Sequence, residues 1–167
     1  INYYVGSGSS CSGVTYARHD GSTKLEKTYS FDNGNYIVCV KDNAGNLASK
    51  TFKVEKVDKV APVKPTITNP SSGNWTNSNI ALTLSTTSTD IAYYQYTYNA
   101  NATQTGSDNS TQWVTYSDSA SSTFKTTEFS AERNQLVYVR ACDYAGNCSE
   151  KNSTYIKIDK TEPSCPD

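Results

Sequence analysis

The pentapeptide Asp42-Asn43-Ala44-Gly45-Asn46 returns as Asp143-Tyr144-Ala145-Gly146-Asn147, at an offset of 143 − 42 = 101 residues. A second motif, Asp58-Lys59-Val60-Ala61-Pro62, returns as Asp159-Lys160-Thr161-Glu162-Pro163 at the same offset, since 159 − 58 = 101. Two motifs sharing one offset constrain the chain strongly, because the same supersecondary unit must be built twice. The residues before each pentapeptide match too, Tyr36, Val38 and Val40 falling on Val137, Val139 and Ala141. A third pair, Ile1-Asn2-Tyr3-Tyr4 and Ile91-Ala92-Tyr93-Tyr94, is offset by 91 − 1 = 90. The later copy is therefore expected to carry about eleven more residues in its middle loops, which chain entropy tolerates at small cost.

With the repeat in register, residues 61–162 read as one complete domain, residues 1–60 as the C-terminal strands of a preceding one, and residues 163–167 as the start of a following repeat. The opening strands of the first copy are expected upstream, in a longer parent chain. The lack of Met and the start at Ile1 agree with that expectation.

Short alternating stretches rich in Tyr, Val, Ile and Thr are separated by Gly, Asn, Asp and Ser clusters, the pattern of an all-β sandwich. The two-residue period predicts strands at Ile80 to Leu84, Ala92 to Tyr98, Val137 to Ala141 and Thr154 to Ile158. In the second of these Tyr94, Tyr96 and Tyr98 are expected in the core, opposite Gln95 and Thr97. Helical periodicity is nowhere sustained. Hydrophobic residues are 35% of the chain even with thirteen Tyr counted, against ~45–50% in ordinary globular proteins. So lean a core suits short strands with one solvated face. In Asp-Xaa-Ala-Gly-Asn, Gly and Asn accept positive φ and the carboxylate can bond turn amides, which predicts a hairpin turn joining the last two strands. In Asp-Lys-Xaa-Xaa-Pro the proline stiffens the chain where one sandwich ends, as a semi-rigid rod of domains requires.

These residues, together with the Gly73-Asn74-Trp75-Thr76 opening of the complete copy, resemble the bacterial immunoglobulin-like (Big-type) tandem repeats of cell-surface proteins. The resemblance implies an all-β fold of tandem immunoglobulin-like β-sandwiches, the first one N-terminally truncated. It also implies a non-enzymatic spacer or stalk outside the cell, with neighbouring repeats of the same chain as partners. Two alternatives share the fold: an adhesin module binding carbohydrate or a host surface protein, and a decoration module on a phage or virion.

Five cysteines lie at Cys11, Cys39, Cys142, Cys148 and Cys165. Cys142 and Cys148 flank the hairpin turn, where facing residues come within disulfide range. Cys11 and Cys39 are expected to pair across neighbouring strands of such a sandwich, which leaves Cys165 for a partner in the truncated third copy. Paired cysteines suit an oxidising, extracellular setting, while reduced buried thiols are the cytosolic rival. No Cys-x₂-Cys spacing is present and the single His19 sits in a loop, so no zinc site is expected.

The net charge is −1 with basic residues spread along the chain, which argues against a nucleic-acid partner. No apolar run is long enough for membrane insertion. A catalytic triad would have only His19 as base. The acids Asp90, Asp108, Asp118, Glu128 and Glu132 read as solvated loop residues rather than a hydrolytic pair. No enzyme activity, cofactor or metal is therefore expected, although Asp42, Asp58, Asp143 and Asp159 recur near domain ends where calcium sites occur in other proteins. If any surface binds a ligand, the expected residues are Trp113 and Tyr116, which follow the long polar loop from Asn99 to Gln112, with Trp75, Tyr93 and Tyr144 as further stacking platforms for sugars. A spacer reading predicts a monomer.

Overall fold

The computed structural model describes residues 1–19, 27–102 and 112–165. The chain divides into two compact units, Ile1–Asp58 and Lys59–Asp167.

In the first unit, β1 (Asn2–Ser7), β2 (Ala17–Arg18), β3 (Gly34–Lys41) and β4 (Leu47–Val54) form one antiparallel sheet in the order β2-β1-β3-β4. Alternation along β3 turns Ile37 and Cys39 to one face, where both are buried, and leaves Val40 exposed on the other. Phe31 packs on Tyr36 at 4.4 Å and on Phe52 at 5.5 Å between ring centres, an aromatic cluster that covers the far end of the sheet. Asn33 ties that end to the exit of the unit, its amide donating to the Val57 carbonyl and its Oδ1 accepting from the Val57 N–H, each at 2.8 Å.

The second unit is an immunoglobulin-like β-sandwich. Its strands are β5 (Thr66–Thr68), β6 (Trp75–Thr76), β7 (Thr83–Ser85), β8 (Ile91–Thr97), β9 (Val114–Thr115), β10 (Thr123–Lys125), β11 (Arg133–Asp143) and β12 (Asn152–Ile158). They form a sheet β10-β7-β5 and a sheet β6-β12-β11-β8-β9. The opening segment is shared between the sheets: β5 pairs antiparallel with β7, and β6 crosses over to run parallel with β12. Such a two-sheet antiparallel arrangement with inter-sheet connections defines the class.

Alternation builds the core. Ile80, Leu82 and Leu84 from one sheet meet Tyr94, Val137, Val139, Ala141, Ile156 and Ile158 from the other, all 1% exposed or less. Each such aliphatic side chain contributes about 2 kcal/mol by leaving water. The ladder of β7 continues past its end through a side chain, Thr126 Oγ1 accepting from the Leu82 N–H at 3.0 Å while the Thr126 N–H donates to the Leu82 carbonyl at 2.9 Å.

The strand pattern of β1-β3-β4 follows that of β8-β11-β12. Tyr3 pairs with Val40 and Tyr94 with Ala141. Since Val40 and Ala141 match at the 101-residue offset, Tyr3 corresponds to Tyr94, and the opening strands align at 94 − 3 = 91 rather than at the expected 90. Tyr3 and Tyr94 are both in the interior, whereas Val40 is exposed and its match Ala141 is buried. Among the described residues of the first unit, the sheet β10-β7-β5 has no counterpart.

Candidate functional site

The two pentapeptides make the same turn. Asp42 N–H donates to the Asn46 carbonyl at 3.1 Å, Gly45 N–H to the Asp42 carbonyl at 3.2 Å, and the Asp42 carboxylate accepts from the Asn46 N–H at 2.8 Å and its side-chain amide at 2.7 Å. Asp143 repeats this with Asn147, at 3.0 Å for Asp143 N–H, 3.3 Å for Gly146 N–H, and 2.8 and 2.9 Å for the two carboxylate bonds. Gly45 at φ 96° and Gly146 at φ 88° occupy the left-handed region that glycine allows. Hydrogen bonds from the Asn46 side chain, then from its backbone N–H, hold the Asp42 carboxyl below the usual carboxylate range. Both carboxylates therefore cap turns. Asp143 is buried, and one of its oxygens lies within 4.8 Å of one on Asp90. Asp159 caps the Thr161 N–H at 3.0 Å.

Both disulfides are formed, Cys11–Cys39 and Cys142–Cys148. Cys165 is an exposed free thiol. Cys142 and Cys148 face each other in an isolated bridge at the mouth of the turn, the position held in the first unit by Lys41 and Leu47.

The aromatic platform expected from the sequence does not assemble. Trp75 lies on β6 and Trp113 just before β9, at opposite edges of the five-stranded sheet, four strand spacings or about 19 Å apart. Trp113 is 2% exposed and lies under the Arg140 guanidinium, whose carbon is 4.4 Å from the ring centre. Tyr116 is buried in the core beside Tyr96, at 4.7 Å, and Phe124, at 5.4 Å; burial, with Tyr96 and Tyr98 nearby, pushes its hydroxyl well above the usual tyrosine range. Neither ring offers a face to a ligand. Residues 103–111 of the loop expected to do so lie outside the described residues. Tyr144 is exposed at the tip of its turn and Tyr93 half-buried on β8.

What sequence reasoning missed is a second buried layer. Arg140 pairs with Gln95 across β11 and β8, on the sheet face opposite Val139 and Ala141, and both are 0% exposed. Arg140 Nε donates to Gln95 Oε1 at 3.0 Å, and Gln95 Nε2 to Thr115 Oγ1 at 2.9 Å. These hydrogen bonds and the Trp113 ring against the guanidinium offset part of the cost of burying the pair. Tyr98, expected in the core, is exposed instead, its hydroxyl accepting from Arg133 at 2.9 Å. Polar residues alternating with tyrosines gave no sign that the polar face was covered as well.

Trp75 differs from the other expected residues. Its indole is 57% exposed, yet its backbone is fixed by the pairing of β6 with β12, Trp75 against Lys157 and Thr76 against Ile158. Trp75 lines a cavity of about 300 Å³ with Pro70, Ser71, Thr76, Ser78, Asn79 and Ile80. The Asn79 amide is held from both ends: its nitrogen donates to Glu128 Oε2 at 2.9 Å, and its oxygen accepts from Lys160 Nζ at 2.8 Å. Glu132 sits beyond this edge, its carboxyl lowered by the Thr161 hydroxyl at 2.7 Å and the Lys160 N–H at 3.0 Å. His19 belongs to the first unit, where its N–H donates to the Ile1 carbonyl at 2.9 Å.

No family model matches the chain, and no curated protein sequence is significantly similar to it. Among solved structures it matches a crystal structure of titin domains at a TM-score of 0.40 and 16% identity, over 93% of this chain and 53% of that one. The chain thus spans about half the length of that titin structure. At this level the superposition adds nothing to the fold read from the strand topology.

Proposed function

We propose that the chain is a non-enzymatic structural spacer, a stalk module of an extracellular bacterial surface protein built from immunoglobulin-like repeats. The observation that carries this reading is how the second unit joins its own ends. β6, near the unit's entry, runs parallel to β12, near its exit, and the Asp159 N–H donates to the Thr76 carbonyl at 3.0 Å. Asn69 adds a bond from its amide to the Tyr155 carbonyl at 2.8 Å, and Asn152 one to the Pro65 carbonyl at 3.0 Å. Tension between the two ends of the unit loads these bonds together in shear instead of opening them one at a time. Two disulfides support an oxidising compartment, and no helix among the described residues is long and apolar enough to cross a membrane. The order of strands supports an immunoglobulin-like fold, and the repeated turn and junction motifs in the sequence carry the resemblance to Big-type repeats.

The test is single-molecule extension of the whole chain held by its termini. Asp159→Pro removes the donor to Thr76 and is expected to lower the unfolding force of the unit containing both tryptophans, with the chain monomeric by light scattering before and after. An unchanged force would sink the mechanical reading. The exposure of Trp75 beside a cavity favours binding as a second role, and it bears on one surface only.

A further inference from the structure

We propose that the cavity beside Trp75 is a carbohydrate subsite that seats one neutral pyranose ring against the indole face. This does not rest on the spacer reading, because a stalk needs no ligand.

An exposed indole leaves a large, flat apolar face in water beside a polar N–H, the combination that suits tryptophan to surfaces where one side is covered and the other stays wet. Here it is displayed at 57% exposure on a strand whose backbone is hydrogen-bonded to its neighbour. The chain's other tryptophan is 2% exposed. The display therefore belongs to Trp75 in particular.

The surroundings match one class of ligand. A pyranose has an apolar face of axial C–H groups and a girdle of equatorial hydroxyls. Among the residues that line the cavity, Trp75 and Pro70 carry rings suited to the first, and Ser71, Ser78 and Asn79 carry polar groups suited to the second. At about 300 Å³ it lies at the lower end of small-molecule sites, ~300–1,000 Å³, which suits one sugar unit. Asn79 is already oriented by its bonds to Glu128 and Lys160. Its amide thus presents at a fixed angle, and the orientation is not lost to side-chain entropy on binding. Glu128 and Lys160 place one negative and one positive charge about the same amide, so their fields largely cancel. That balance favours a neutral sugar over a phosphate or a uronate. The site is at a sheet edge, since β6 is the terminal strand of its sheet, and a glycan chain can continue past the bound unit.

The two indole N–H groups provide the experiment. The whole chain, labelled with ¹⁵N, is titrated with methyl β-glucopyranoside, methyl β-galactopyranoside and N-acetylglucosamine. The expected result is a saturable shift of the Trp75 indole resonance with at least one of the three, at a dissociation constant on the order of millimolar for so small a ligand, while the Trp113 resonance stays in place. Trp75→Ala is expected to abolish saturable binding read from the backbone amides of Ser71 and Ser78, with the Trp113 resonance showing that the fold survives. Trp75→Tyr should retain weakened binding, and Asn79→Ala should weaken it about tenfold. No saturable shift with any of the three sugars, equal movement of both indoles, or undiminished binding by Trp75→Ala overturns the proposal.

Discussion

The two tryptophans give the sharpest test of where the side chains lie, because the structure assigns them opposite environments. Trp113 is 2% exposed, stacked under Arg140, while Trp75 is 57% exposed at the far edge of the same sheet. Truncating Trp113 to Ala removes a buried ring and leaves both a cavity and a guanidinium without its aromatic partner. Buried aromatic-to-alanine changes cost about 3–5 kcal/mol, and a desolvated cation–π contact accounts for up to about 2 of that kind of loss. We expect about 4 kcal/mol, against a total of roughly 5–15 kcal/mol for a domain. For a domain of this size that lowers the melting temperature by roughly 15 °C. Trp75→Ala should cost under about 1 kcal/mol, as surface changes do. Both tryptophans lie in the second unit, so in each variant the remaining indole reports the unfolding of that unit alone. Urea denaturation followed by tryptophan fluorescence supplies both values. Equal losses, or a larger loss for Trp75→Ala, would refute the assignment of Trp113 to a buried layer and return it to the surface.

Further expectations follow from the cross-links, the turns and the buried hydroxyls. Cys11–Cys39 closes a separation of 28 residues and Cys142–Cys148 one of 6, so the chain-entropy relation gives about 4 and about 2 kcal/mol. Cys142 and Cys148 are both 0% exposed whereas Cys11 is partly open, so mild reductant should release Cys11 and Cys39 for alkylation first, and mass mapping showing the reverse order would contradict the burial. Gly146→Ala forces a side chain into the left-handed region with no atom within 4 Å of its Cβ, so a destabilisation of about 1–2 kcal/mol should come from the backbone alone; a denaturation midpoint unchanged from wild type would disprove the turn geometry. Burial raises the hydroxyls of Tyr116, Tyr94 and Tyr96 above their ordinary range. The native state then holds protons that the unfolded chain releases near about pH 10, so stability is full below that pH and falls as pH rises through it. Urea midpoints measured across the alkaline range should decline, and a flat profile would contradict the buried placement.

Sequence alone carries the local parts of this architecture well. Asp42 and Asn46, or Asp143 and Asn147, lie four residues apart, and their side chains and backbone close the turn without help from elsewhere. Alternation likewise places Ile80, Leu82 and Leu84 on one face, all buried. The disulfide at Cys142 and Cys148 is legible for the same reason, since a hairpin fixes which residues face each other. Alternation fails at β8 and β11. A period of two says that Gln95 and Arg140 point away from Tyr94 and Ala141, and it is right; it cannot say that Trp113 then covers the Arg140 guanidinium. That covering depends on a contact between residues 27 positions apart, 140 − 113 = 27. Without that contact Trp113 reads from sequence as a candidate binding residue, and Tyr98 as part of the core.

The paired turns separate these two kinds of information within one molecule. The same five-residue motif gives the same hydrogen bonds in both units, yet Asp143 is 1% exposed and Asp42 is exposed. The difference lies in what flanks the motif. At the mouth of the first turn Lys41 faces Leu47, and both are open to solvent. At the mouth of the second Cys142 faces Cys148 and both are fully buried, adjoining the layer of Gln95 and Arg140. A charged side chain in the place of Cys142 would have to be desolvated there, at a cost of several kcal/mol without a partner; a disulfide fills the position with two polarisable atoms that need no hydrogen bond. The cross-link at the second turn is therefore tied to the covering of that sheet face, and Cys142→Lys should be tolerated far less well than Lys41→Cys.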